Sequence, residues 1–158
     1  MFNPIPEVSL ELKPDLKQEH NDSPEPISIM NAFESVRCFN GRTPETTDGE
    51  IQGATALLST YRNGGVYITH YCGFSEWEQH SQGDEFVQVM KGETHLILLL
   101  DGIEQRHLLT CGHMMVVPQS VWHRFESPKG VKVMTITPQP TEHSISHPNN
   151  KEKSDGTR

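Results

Sequence analysis

Residues able to hold a cation crowd into one short stretch, Trp77-Glu78-Gln79-His80-Ser81-Gln82-Gly83-Asp84-Glu85. In an extended backbone side chains alternate with period two, so Glu78 and His80 point the same way. Gly83-Asp84 then supplies a turn that lets Glu85 open the next strand. Glu85, Val87 and Val89 share a face, which sets a carboxylate above an apolar floor. A buried carboxylate without a partner is expensive, so a cation or a strong donor must compensate it. A fourth metal-competent group, His123, follows the tight loop Pro118-Gln119-Ser120 two hairpins later, and a closed sheet would return it beside the first three. Taken singly, His80 reads as a surface histidine and Glu85 as a solvated strand residue. It is their joint spacing that points to chemistry.

The elements that must position these groups read as strand, turn, strand. Candidate strands are Ala54–Tyr61, Val66–Cys72, Phe86–Met90, Glu93–Leu100, Arg106–Thr110, His113–Val117, Trp122–Glu126 and Val131–Thr137. Turn signals separate them: Asn63-Gly64-Gly65, Lys91-Gly92, Asp101-Gly102, Cys111-Gly112 and Ser127-Pro128-Lys129-Gly130. Pro138 and Pro140 stop the last strand. Short strands at this spacing, with no helical apolar period between Gly53 and Thr137, predict an all-β sandwich or barrel.

The chain has 158 residues, 34% of them hydrophobic and 22% charged, enough for one modest core. Residues 1–28 carry five prolines and read as a flexible, extended N-terminal arm; a short helix near 10–18 would have to accommodate Pro14. Residues 29–141 form the expected barrel domain, and 142–158 an expected disordered tail. A net charge of −8 without clustered Lys and Arg argues against nucleic acid as a partner. Met1–Glu11 lacks the apolar run of a signal peptide, and Leu96–Leu100 is far too short to span a bilayer, so no membrane partner is expected. Cys38, Cys72 and Cys111 form no CxxC pair and read as free thiols in a reducing compartment, the cytoplasm.

The spacings resemble the cupin superfamily, over roughly residues 50–140. Its first motif, G-x5-H-x-H-x3-4-E-x6-G, is similar to Glu78-x-His80-x4-Glu85-x6-Gly92; its second, G-x5-P-x-G-x2-H-x3-N, to Gly112-x5-Pro118-x-Ser120-x2-His123. The resemblance implies a double-stranded β-helix, or jelly-roll barrel, with a metal inside and ligands drawn from both motifs. This chain departs in three places: Glu78 replaces the first histidine, Ser120 the glycine of P-x-G, and Ser127 the final asparagine. The Ser changes touch turn geometry, whereas Glu78 touches the metal. The stretch Trp-Glu-x-His-x-x-Gly-Asp-Glu also resembles a subset of small bacterial cupins.

Three readings of the site stay open. In one, Glu78, His80, Glu85 and His123 all bind a divalent ion such as Fe, Mn, Zn or Ni. In another, His80, Glu85 and His123 hold the ion while Glu78 stands off it as a catalytic base. In the third, no metal binds and the same groups contact an organic ligand. A metal with open positions favours an enzyme of the dioxygenase, decarboxylase or isomerase type acting on a small oxygenated substrate. The alternatives are a non-catalytic module binding a metal or metabolite, and a structural protein with vestigial motifs. A homodimer is expected from the resemblance and from the frequency of twofold oligomers.

Other residues carry plainer expectations. Tyr67 and Tyr71 contact substrate only if their strand parity faces the cavity. His70, in step with Ile68 and Cys72, would face the cavity or, more simply, sit in the core or on the surface. His95, His107 and His113 belong on the exterior, and His143 and His147 in a solvated tail. Trp77 and Trp122 each precede a candidate ligand, so alternation turns them to the opposite face for packing.

Overall fold

The computed structural model of the chain describes residues 24–150. Among them nine strands join in one sheet wrapped into a barrel. They are β1 (Phe39–Arg42), β2 (Thr55–Tyr61), β3 (Gly64–Phe74), β4 (Trp77–His80), β5 (Glu85–Leu100), β6 (Ile103–Thr110), β7 (Met114–Val117), β8 (His123–Pro138) and β9 (Thr141–Ser144). Two helical turns, α1 (Ile29–Ala32) and α2 (Asp48–Ile51), precede the main strands. Most of the arm expected over residues 1–28, including the conceivable helix, lies outside the described residues.

The Asp101-Gly102 turn forms as expected. Asp101 (φ 51°) and Gly102 (φ 76°) both take positive φ, as a two-residue hairpin requires, and Leu100 faces Ile103 across it. Two other expected turns are not turns. Phe86–Met90 and Glu93–Leu100 are one strand, β5, and Trp122–Glu126 and Val131–Thr137 are one strand, β8. Gly92 (φ 77°) and Gly130 (φ 95°) bend these strands where the sheet turns its corner. There the two backbones come so close that a Cβ on Gly92 would collide with the Gly130 carbonyl.

β3 and β8 run antiparallel along most of their length, and β8 also pairs with β5 and β4. The two faces of this wall bury different cores. Inside the barrel, Tyr71, Val87, Val89, Leu96, Leu98, Phe125, Val131 and Val133 pack together. Outside it, Ile68 and Met134 are covered by Phe33 and Val36, from the segment that follows α1.

Three strands, β1, β4 and β9, lie outside the expected set, and β4 is the extended segment that carries Glu78 and His80. β1 pairs in parallel with β3, Phe39 facing Tyr71. β9 pairs with β4, so the disordered tail expected from residue 142 is corrected: Glu78 faces His143 and His80 faces Thr141 in a regular ladder. Backbone pairing to an otherwise open edge of β4 orders this stretch; residues 151–158 lie outside the described residues. All three cysteines are free. Cys38 and Cys72 nevertheless meet across the β1–β3 pair, and burial together with the Cys72 thiol raises the Cys38 pKa. No helix among the described residues is long and apolar enough to cross a membrane.

Candidate metal centre

Glu78, His80, Glu85 and His123 converge. Each offers a nitrogen or oxygen, and these atoms all lie within 4.8 Å of one another. Alternation on β4 turns Glu78 and His80 inward, Glu85 opens β5, and His123 opens β8 directly across from Glu78. His80 and Glu85 are 3% exposed and His123 is fully buried. The Glu78 side chain is 18% exposed and faces a cavity.

Two loops hold the ligands in place. The Gln119 N–H donates to Asp84 Oδ1 at 2.8 Å, and its side-chain amide donates to the Ser81 carbonyl at 2.6 Å. The Ser120 N–H donates to the His80 carbonyl at 2.9 Å. Ser120 sits at φ 61°, a backbone region that favours glycine, which is what the cupin motif carries there. The loop before His123 is thereby tied to the loop between His80 and Glu85.

The hydrogen bonds around the four groups fix which atoms face inward. His123 Nδ1 lies 2.9 Å from the Val121 carbonyl, which can only accept, so Nδ1 carries a hydrogen. Its Nε2 then faces Glu85 Oε2 at 3.0 Å and Glu78 Oε1 at 3.5 Å. His80 Nδ1 bonds Thr141 Oγ1 at 3.1 Å. His80 Nε2 comes within 3.4 Å of Glu85 Oε1 but is buried without a hydrogen-bond partner. Thr137 Oγ1 donates to Glu85 Oε1 at 2.6 Å and is itself bonded to Thr135 at 2.8 Å.

Two carboxylates and two imidazoles turned toward one point repel unless positive charge lies among them. Without a metal, a proton on His123 fills that need. Burial works to lower the His123 pKa, but Glu78 and Glu85 outweigh it and raise it to about 10. Burial likewise works to raise the Glu85 pKa, but His123 and His80 outweigh it and hold it at about 2. A divalent ion answers the same need and would also occupy the orphaned His80 nitrogen. The residues present therefore fit a divalent metal, and their mixed nitrogen and oxygen set suits a first-row ion.

A cavity of about 390 Å³ opens onto Glu78 and Glu85, with Tyr67, Tyr71, Phe125 and Val133 among its walls. The parity condition on Tyr67 and Tyr71 is met. The reverse holds for His70, which shares its face with Ile68 and points away from the cavity toward Lys132 and Lys91. Trp77 packs outside the site, 5.0 Å from the Arg124 guanidinium and 5.2 Å from the His147 ring.

His143 is exposed as expected, but both tail histidines sit in ordered chain and have partners. His147 packs on Trp77, and His143 bonds Glu76 at 2.9 Å at the cavity wall. Residues around the site that the sequence did not single out are Thr137 and Thr141, which bond Glu85 and His80, and Arg42, Glu76 and His143, which line the cavity. None carries a local signal: Thr137, Thr141, Arg42 and His143 arrive through strand pairings distant in sequence, and Glu76 sits in the link between β3 and β4.

A protein from Neisseria meningitidis of known structure shares this architecture, with 20% sequence identity and a TM-score of 0.53, over 76% of this chain and all of that one. With the topology and both motif regions in place around one cavity, the fold is settled. The fold is the cupin barrel. A cupin-2 domain protein from Shewanella frigidimarina matches at 25% identity and a TM-score of 0.47, over 54% of this chain and 79% of that one. A hydroquinone 1,2-dioxygenase from a Sphingomonas species matches at 18% identity and a TM-score of 0.47, over 58% and 67%. No family model matches the sequence of this cupin-fold chain, and no curated protein does.

Proposed function

We propose that this cupin-fold protein is a mononuclear metal-dependent enzyme acting on a small oxygenated substrate, of the dioxygenase, decarboxylase or isomerase class. The observation that carries this reading is the gathering of Glu78, His80, Glu85 and His123 within 4.8 Å beside a cavity. All four would hold the ion. When bound, it would supply Lewis acidity and open positions for oxygen donors.

The chain's own residues do the rest. Val121 and Thr141 fix the rings of His123 and His80, and Thr137 fixes the Glu85 carboxylate. Tyr67, Tyr71, Phe125 and Val133 enclose the substrate body and exclude water. Glu78 has a dual place. One oxygen faces His123 while the carboxylate borders the cavity, so it serves as a ligand and as the group that takes a proton from substrate or returns it. We further propose a homodimer, and the free thiols support a reducing, cytoplasmic setting.

The test is elemental analysis of the purified chain, with turnover and oxygen uptake on a panel of small acids and diketones. We expect one divalent ion per chain, its loss in Glu85→Ala, and conversion of at least one compound. A wild-type chain that binds no divalent ion overturns the reading. Bound metal with no turnover across the panel would replace the enzyme with a binding module.

A further inference from the structure

The charged side chains lining the cavity are Arg42, Asp48, Glu76, Glu78, Glu85 and His143. A bound dication would balance Glu78 and Glu85. Glu76 and His143 are paired at 2.9 Å, a bond that raises the His143 pKa. Asp48 is exposed to water. Arg42, beside Glu76 and Tyr71, is the cation of this wall whose ion pair is loose.

The Arg42 guanidinium lies 4.6 Å from the centre of the Tyr71 ring. Its Nη2 approaches Glu76 Oε2 only to 3.9 Å, beyond hydrogen-bond reach. Arg42 Nε and Glu76 Oε2 are both buried without a hydrogen-bond partner. A guanidinium offers five donors in a rigid fork that fits a carboxylate, and leaving a buried donor unpaired is unfavourable. The arginine is also held in place. β1 ends at Arg42 opposite Gly73, and the backbones meet so closely that a Cβ on Gly73 would collide with the Arg42 carbonyl.

We propose that Arg42 is the specificity-determining anchor for a carboxylate, so the substrates of this cavity are small carboxylic acids with an apolar body. The inference rests on the reading above that a small oxygenated substrate occupies this cavity. The guanidinium fork takes the acid group, stacked on Tyr71. Tyr67, Phe125 and Val133 flank the body, whose far end is directed at Glu78 and Glu85. Neutral compounds of the same shape leave Arg42 unpaired and bind less well.

The experiment is calorimetric titration of benzoate and its neutral isostere benzamide into the full chain, zinc-loaded and metal-free. It is run on wild type, Arg42→Gln and Arg42→Lys, with zinc stoichiometry and melting temperature recorded for each. We expect wild type to bind benzoate at least tenfold more tightly than benzamide. Arg42→Gln should weaken benzoate at least tenfold while leaving benzamide and zinc stoichiometry unchanged. Arg42→Lys, which keeps the charge without the fork, should fall between and serves if Arg42→Gln does not fold. Equal affinity for the two probes, no benzoate binding to wild type, or benzoate affinity untouched by both variants overturns the proposal. Discrimination that persists in a chain unable to bind zinc supports the Arg42 anchor and overturns the metal reading instead.

Discussion

Thr137 donates its hydroxyl to Glu85 at 2.6 Å from one end of β8, and His123 meets the same carboxylate at 3.0 Å from the other end. One long strand, bent at Gly130, therefore grips a single buried acid at both of its termini. The orientation of this carboxylate depends on both halves of β8.

Thr137→Val keeps the shape and removes the donor. Glu85 Oε1 then loses its threonine bond, and the variant should be destabilised by about 1–3 kcal/mol in the metal-free state. Metal affinity should fall about 10–100-fold, as is usual when a residue supporting a ligand is lost. Competition with a chelating dye reads the affinity. An unchanged affinity would show that Thr137 does not position Glu85.

The metal-free protein should be most stable between about pH 4.5 and 6.5. The Glu85 pKa is depressed from 4.5 to about 2, so its contribution is present above 4.5 and is lost as pH falls through 2. The His123 pKa is raised from 6.5 to about 10, so its contribution is complete below 6.5 and is lost as pH rises through 10. The two shifts share the His123–Glu85 contact and do not add. Melting curves after chelator treatment should show both limbs, and Glu85→Gln should flatten them. Limbs of equal steepness in that variant would assign the pH dependence elsewhere.

Metal uptake near neutral pH should release about one proton, from His123, because the ion takes the place that proton holds. Titrating zinc in two buffers of different ionisation enthalpy counts the protons. A count of zero would mean the ion binds without engaging His123 Nε2.

Gly92→Ala forces a side chain into positive φ and against the Gly130 carbonyl, which is backbone and cannot swing aside. A loss of at least about 2 kcal/mol is expected in chemical denaturation. Ser120→Gly acts in the opposite direction. It relieves a serine held at φ 61° and should stabilise by up to about 1 kcal/mol without changing metal content. A destabilised Ser120→Gly would mean that the serine side chain contributes more than its backbone conformation costs.

His80, Glu85 and His123 were legible because the signals that place them are local. Strand alternation sets the direction of His80, a Gly-Asp turn starts Glu85's strand, and a proline-containing loop sets the start of His123's. The continuity of β5 and β8 was not legible, because Lys91-Gly92 and Ser127-Pro128-Lys129-Gly130 have the composition of turns whether the chain reverses or merely bends. β1 was missed because Phe39-Asn40-Gly41-Arg42 neither alternates in polarity nor carries β-branched residues. Its existence depends on parallel pairing with β3. The roles of Glu76 and His143 were hidden for a similar reason: they meet only because β9 docks on β4.

The double burial of β3 has a consequence for how this barrel can change. Tyr67 and Thr69 look into the cavity, while Ile68 between them is locked under Phe33 and Val36. Neighbouring positions on the strand thus answer to separate demands. Substitutions at alternate residues could retune what the barrel admits while the intervening ones keep its outer wrapping sealed, so selectivity and robustness can drift independently along one strand.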